Sequence, residues 1–353
     1  HLCDRRQRQM CIRDRNTDDE IQWLPICALP QTIIANKTLF DQYGIKVPEN
    51  YEEYVQVCQQ FYDKGIKPYS MDLAEDWSNQ EIIQAAAIGE FTSLDGIDWR
   101  NKAETSAGEI KFDDVLWKRI FSETSQFLKD SHFSEEDINV NSNTGTQMFV
   151  EGKSAMFHGQ PTDMQKLQDQ MDAELIRIPY FSQTSDSSFV YMFPSLNIAF
   201  NKELEKNQEK LDTALDVLDC MNSEQGQKLI ADGSGVISFN TDVPSMMQNV
   251  PGLEEEIKDT SIYIRYSAQK SFDASLEAVH GLLSGKMDEM QAYNAFRSAM
   301  NSKDSKEKST VNFENEYSIS LNDKSGRDAA SSILTTIREE NDAQLALTPY
   351  YYY

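Results

Sequence analysis

Residues 35–69, ANKTLFDQYGIKVPENYEEYVQVCQQFYDKGIKPY, decide the fold class. KTLFDQYGIKVP (37–48) predicts a short helix ended at Gly44, where a residue without Cβ takes the left-handed turn at little cost, then a turn at Pro48. YEEYVQVCQQFYDKG (51–65) predicts an amphipathic helix. Tyr51, Tyr54, Val55, Cys58, Phe61 and Tyr62 recur at helical spacing, and Gly65 supplies the stop. IKPYSM then predicts a short strand. Helices and strands alternating at short intervals are the material of an α/β fold.

The pattern continues outward. Residues 21–36 read as extended and are punctuated by Pro25 and Pro30, which remove ladder donors. An edge strand or a crossing segment is expected there. Helices are predicted over 78–88 and 112–130. The second has Val115, Leu116, Ile120, Phe121 and Phe127 on its apolar face. VEGKSAMFHG (150–159) predicts strand–turn–strand, 174–181 a strand, and 187–201 an extended run across Pro194. Helices follow at 203–220 and 223–233, the latter capped by Ser223, and then an extended GVISFNTDV. A helical hairpin over 271–300 breaks at Gly285.

Composition narrows the function. Lys plus Arg is 33 against 58 Asp plus Glu, a net charge of −25. That field repels phosphate backbones, so nucleic acid is excluded as a partner. With 39% apolar and 10% aromatic residues, the chain has material for a core. No apolar run reaches the ~20 residues needed to span a bilayer. Cys27, Cys58 and Cys220 stand apart among apolar neighbours, and the four histidines are isolated, so no metal site and no cofactor are expected. The sequence has no G-x-S-x-G, Walker A, H-E-x-x-H or G-x-G-x-x-G motif, so an enzyme is not expected.

Four segments in order resemble family 1 extracellular solute-binding proteins of ABC importers. They are 35–69; QMFVEGKSAMFHGQP (147–161); SFVYMFPSLNIAFNKE (188–203); and the helices and turn from ALDVLDCMN to GSGVIS (214–238). Three departures stand out. Gln160-Pro161-Thr162 lack the aromatic expected after Gly159, Ile237-Ser238 replaces a turn proline, and Ala35 replaces a tyrosine. The resemblance implies an α/β, periplasmic-binding-protein-like two-lobe fold of type II, with an incomplete N-lobe and a short extra C-terminal α/β piece.

Residues 1–15, with five arginines against two aspartates, read as foreign to the rest. On the resemblance, 16–30 and 195–255 form the remnant of the N-lobe, and 31–194 and 256–302 the C-lobe. Residues 303–310 are a linker, and 311–353 begin a further truncated module.

The resemblance further implies a saccharide held between the lobes by hinge closure, ABC permease subunits as partners, a monomer, and an extracytoplasmic location as a lipoprotein or periplasmic protein. Flat rings stack on sugar faces, while carboxylates, amides and Arg take hydroxyls. Glu75, Asp76 and Trp77 occupy a strand-to-helix loop that resembles the family's ligand loop. Asp76 or Ser78 capping the helix, with Trp77 as a staple, accounts for the same residues. His158 and Gln160 follow a strand, Phe193 and Ser195 border a crossing, and Tyr263, Arg265 and Phe272 precede the last helices. Core packing or an ordinary surface ion pair accounts equally for each of these. A glycoside hydrolase using Glu75 and a second acid, or a protein-interaction module, are the alternative functions.

Overall fold

The computed structural model describes residues 24–91, 93–105, 110–159, 161–185, 188–200, 202–234, 237–238, 261–264 and 269–302. The strands are β1 (Leu24–Asn36), β2 (Lys67–Ser70), β3 (Ser154–Gly159), β4 (Leu175–Ile178), β5 (Tyr180–Phe181), β6 (Ser188–Ile198), β7 (Ile237–Ser238) and β8 (Ser261–Ile264). The first six helices are α1 (Lys37–Tyr43), α2 (Tyr51–Tyr62), α3 (Asp76–Ala86), α4 (Ile88–Phe91), α5 (Leu94–Thr105) and α6 (Asp114–Asp130). The rest are α7 (Ser142–Val150), α8 (Pro161–Gln168), α9 (Gln208–Asn222), α10 (Glu224–Ser234), α11 (Gln269–Leu283) and α12 (Glu289–Asn301). The sequence expectations for 1–15, 303–310 and 311–353 lie outside the described residues.

The chain divides into two compact units. The larger comprises Pro30–Met192 and Gly252–Ser305, the smaller His1–Leu29, Phe193–Pro251 and Lys306–Tyr353. In the larger unit the Thr32–Asn36 part of β1 lies between β3 and β4, antiparallel to both, with Ile33 opposite His158 and Ile178. It is therefore an interior strand and not an edge strand; the other expectation, a crossing segment, agrees with β1 passing from the smaller unit to the larger between Leu29 and Pro30. Interior pairing is possible because Pro25 and Pro30 both precede the doubly paired stretch. β2 adds to the far side of β3 in parallel, with Tyr69 opposite Met156. A second group pairs β5 antiparallel and β8 parallel to the start of β6.

Local chemistry sets the helix ends. The Asn36 side chain accepts from Leu39 N–H at the start of α1 (3.1 Å), and Gly44 ends the helix at φ +65°. Asn50 and Asp113 cap α2 and α6 in the same way. Tyr54, Cys58 and Phe61 of α2 and Ile120 and Phe121 of α6 are buried as predicted, but the margins of the two faces differ. In α2, Val57 is inside while Tyr62 is exposed; in α6, Trp117 and Leu128 are inside while Val115 is exposed. Residues 150–153 form a helix end and a turn, so 150–159 holds one strand rather than two.

One core joins the helices to the sheet. α3 packs on α11 and α6, and α6 packs on α12. Trp117, Phe121, Tyr293 and Phe296 are fully buried there, with the Trp117 and Phe296 rings stacked at 5.3 Å. Each fully buried ring of this kind contributes about 1.5–3 kcal/mol of transfer free energy.

In the smaller unit, Cys27 and Ala28 of β1 pair antiparallel with Ser238 and Ile237 of β7. Ile26, Cys27 and Leu29 pack with Leu218 of α9 and Ile230 of α10. Ser223 Oγ accepts from Gly226 N–H (3.1 Å), a cap on α10, which runs through Gly233 to Ser234.

Candidate functional site

β2 and β3 run parallel, so their carboxyl ends lie side by side. Open α/β sheets place ligand sites beyond such ends. The β2–α3 loop is pinned from three directions. Ser78 Oγ donates to Asp72 O (2.5 Å) and Asn79 Nδ2 to Leu73 O (3.0 Å). From α11, His280 Nε2 donates to Leu73 O (2.6 Å). Glu75 is the N-cap residue of α3 but makes no side-chain cap. Glu75, Asp76 and Trp77 are half-buried.

Trp77 and His158 are brought together from the two strand ends, with ring centroids 5.3 Å apart and planes tilted by 30°. The rest of the His158 environment is buried and polar. Its Nε2 lies 2.8 Å from Glu81 Oε2 and 2.7 Å from Gln31 Nε2. A protonated Nε2 donating to the Glu81 carboxylate accommodates both contacts when the Gln31 amide turns its oxygen to the ring. Glu81 is 1% and His158 2% exposed, so this pair sits inside the protein rather than at its surface. Tyr191 O–H donates to the Glu81 carbonyl.

Asp72 lies in the same loop and accepts from Ser142 Oγ (2.9 Å). Burial pushes its carboxyl up to about 6, against the opposing pull of His158 and of the Ser142 hydrogen bond. Burial likewise drives the Tyr69 and Tyr180 hydroxyls well above the usual phenol range.

The remaining sequence candidates fare differently. Tyr263, expected to stack on a ligand, is instead a core residue of β8. Its hydroxyl donates to Gln84 Oε1 (2.7 Å), and its ring carries the Arg100 guanidinium at 5.0 Å. Phe272 is half-buried in the first turn of α11. Phe193 and Ser195 belong to β6, but their side chains lie outside the described residues, as do Gln160 and Arg265 entirely.

Sequence reasoning missed Gln31, Glu81 and His280. A charged residue on an amphipathic helix reads as solvent-facing, and an isolated histidine gives no spacing signal. Among the described residues no group of three His, Cys, Asp or Glu side chains is placed to hold a metal ion. No described helix is long and apolar enough to cross a membrane.

A profile of the bacterial extracellular solute-binding proteins matches residues 12–259. The chain belongs to that family. No curated protein sequence matches it.

Solved structures share the fold, a mixed α/β architecture. A probable secreted solute-binding lipoprotein from Streptomyces coelicolor superposes with a TM-score of 0.66 at 15% identity, over 83% of this chain and 74% of that one. Apo RafE from Streptococcus pneumoniae gives 0.58 at 16% identity, over 80% and 72%. A Bacillus licheniformis sugar transporter in complex with stachyose gives 0.59 at 13% identity, over 81% and 74%.

Proposed function

We propose that this protein is the saccharide receptor of an ABC importer, binding its ligand beside Trp77 and passing it to membrane permease subunits without chemical change. The observation that carries the reading is the Trp77–His158 pair at the joined ends of β2 and β3. A ring held there by its neighbour is preorganised to stack on a pyranose. Glu75 and Asp76 flank it as hydroxyl acceptors. Structural relatives include RafE with raffinose and a chitin oligosaccharide binding protein, which supports a saccharide over other solutes.

The receptor acts outside the cytoplasm as a monomer, held as a lipoprotein or free in a periplasm. Closure on the ligand is part of the proposal, and in this reading it biases an open–closed equilibrium toward the closed state.

Calorimetric titration of the full-length protein with raffinose, stachyose and chitin oligosaccharides tests the reading. Binding of at least one is expected, and Trp77→Ala should weaken it by about tenfold, equivalent to ~1.4 kcal/mol. Absence of binding to every sugar overturns the proposal, and release of reducing ends would point to a glycoside hydrolase.

A further inference from the structure

The polar interior behind Trp77 has a feature that an ion-pair network alone does not explain. Gln80 is fully buried, yet neither its Nε2 nor its Oε1 has a hydrogen-bond partner among the described residues. The same holds for His158 Nδ1 and Gln31 Oε1. Turning the Gln31 amide exchanges which of its two atoms meets His158 and leaves the other unmatched. Buried amides without partners are costly, so folds rarely keep them without a use.

These atoms share a place. Trp77, Gln80, Glu81 and Gln84 fall within an arc of about 100° on α3, by the helical repeat. Trp77 and Glu81 on that arc both meet His158, and Gln84 meets Tyr263. Gln80, three residues after Trp77, therefore lies on the face that looks toward β3 and β8, with its Cβ about 5–6 Å from that of Trp77. Gln31 joins from β1 through His158.

The unmatched set is mixed: the Gln80 amide N–H₂ and oxygen, one amide atom of Gln31, and an imidazole nitrogen. A hydroxyl both donates and accepts and so can satisfy each of them, whereas a carboxylate only accepts and leaves the Gln80 oxygen bare. Asp72, Glu75, Asp76 and Glu81 at the same end add a field that repels anions. We infer that Gln80 and Gln31 read the hydroxyls of a neutral saccharide, and that the site rejects carboxylated sugars. The inference rests on the saccharide reading above and names the class within it.

The test compares wild type with Gln80→Leu and, as a closer isostere, Gln80→Met. The probes are raffinose, chitin oligosaccharides and oligogalacturonides, with melting temperature measured alongside. The neutral sugar that binds best should do so at least tenfold more tightly than oligogalacturonides. Both variants should lose at least tenfold in affinity for that sugar while melting no lower than wild type, because an apolar chain removes two unmatched polar atoms. A purely structural glutamine would instead lower the melting temperature and leave affinity unchanged. That result, unchanged affinity in both variants (an amide served by internal water only), or equal binding of oligogalacturonides, overturns the inference. Wild type that binds no sugar at all overturns the saccharide reading itself, which separates the two failures.

Discussion

Helix α3 has two buried faces of opposite chemistry. Ile82, Ile83 and Ala86 enter the aromatic core with Trp117 and Phe121, where apolar side chains fill the space. Gln80, Glu81 and Gln84 are as deeply buried but polar: Glu81 meets His158 and Gln84 meets Tyr263, while the Gln80 amide is unmatched among the described residues. Apolar burial is self-sufficient, since dispersion and the hydrophobic effect need no directional match. Polar burial is stable only where each group finds its complement, so mismatches tend to accumulate where a protein binds something. The difference teaches where to look: the core face holds the unit together, and in the proposed function the polar face carries its recognition chemistry.

Mutations should separate the two faces. The largest effect on stability is expected from the apolar side. Trp117→Ala removes a 2%-exposed indole stacked on Phe296 and should cost about 3–5 kcal/mol, read as a shift of the urea midpoint. Sugar affinity of the fraction that remains folded should hold. A comparable loss from this site without a change in midpoint would break the distinction.

A smaller effect is expected from Asp72, with a pH signature. Its carboxyl titrates near 6 in the folded protein, above the 3.8 of a free aspartate. The folded state therefore holds the proton more tightly than the unfolded chain. The stabilisation from that proton is fully present below pH 4 and is lost as pH rises to 6, up to about 3 kcal/mol. Asp72→Asn removes this dependence, so the difference in stability between wild type and variant should change across that window and flatten above it. A difference that stays constant from pH 4 to 7 would show that burial does not govern this carboxyl.

Much of the scaffold was legible in the sequence because its signals are local. Gly44 and Gly285 both adopt left-handed φ, at +65° and +67°, at the helix ends where the pattern placed stops. The apolar periodicity located α2 and α6 and the centre of each buried face, Tyr54, Cys58 and Phe61 in one and Ile120 and Phe121 in the other, but wrongly took in Tyr62 and Val115. Val115 sits in the first turn and points to solvent, while Trp117 sets the inward direction through ring contacts distant in sequence. For β1 the prolines left two readings open, and the crossing one holds; the edge one fails because proline chemistry is local, while interior or edge status depends on which strands arrive later.

At the candidate site, the sequence singled out Trp77 and His158 as loop residues after two strands; they lie instead in the first turn of α3 and inside β3, and the fold brings their rings into contact. It gave no hint of Glu81 or Gln31, because a buried Glu81–His158 contact joins residues 77 positions apart and leaves no spacing within one element. Tyr263 failed as a surface aromatic because its hydroxyl finds Gln84 inside the unit.

Hydrogen–deuterium exchange of the full-length protein, with and without saturating raffinose or chitin oligosaccharide, tests the central claim most directly. Peptides spanning residues 71–81 and 154–159 should gain protection by at least tenfold in exchange rate, while those in α6 and α12 stay unchanged. Protection confined to other segments, or none at either strand end, would contradict the assignment of recognition to the polar face of α3.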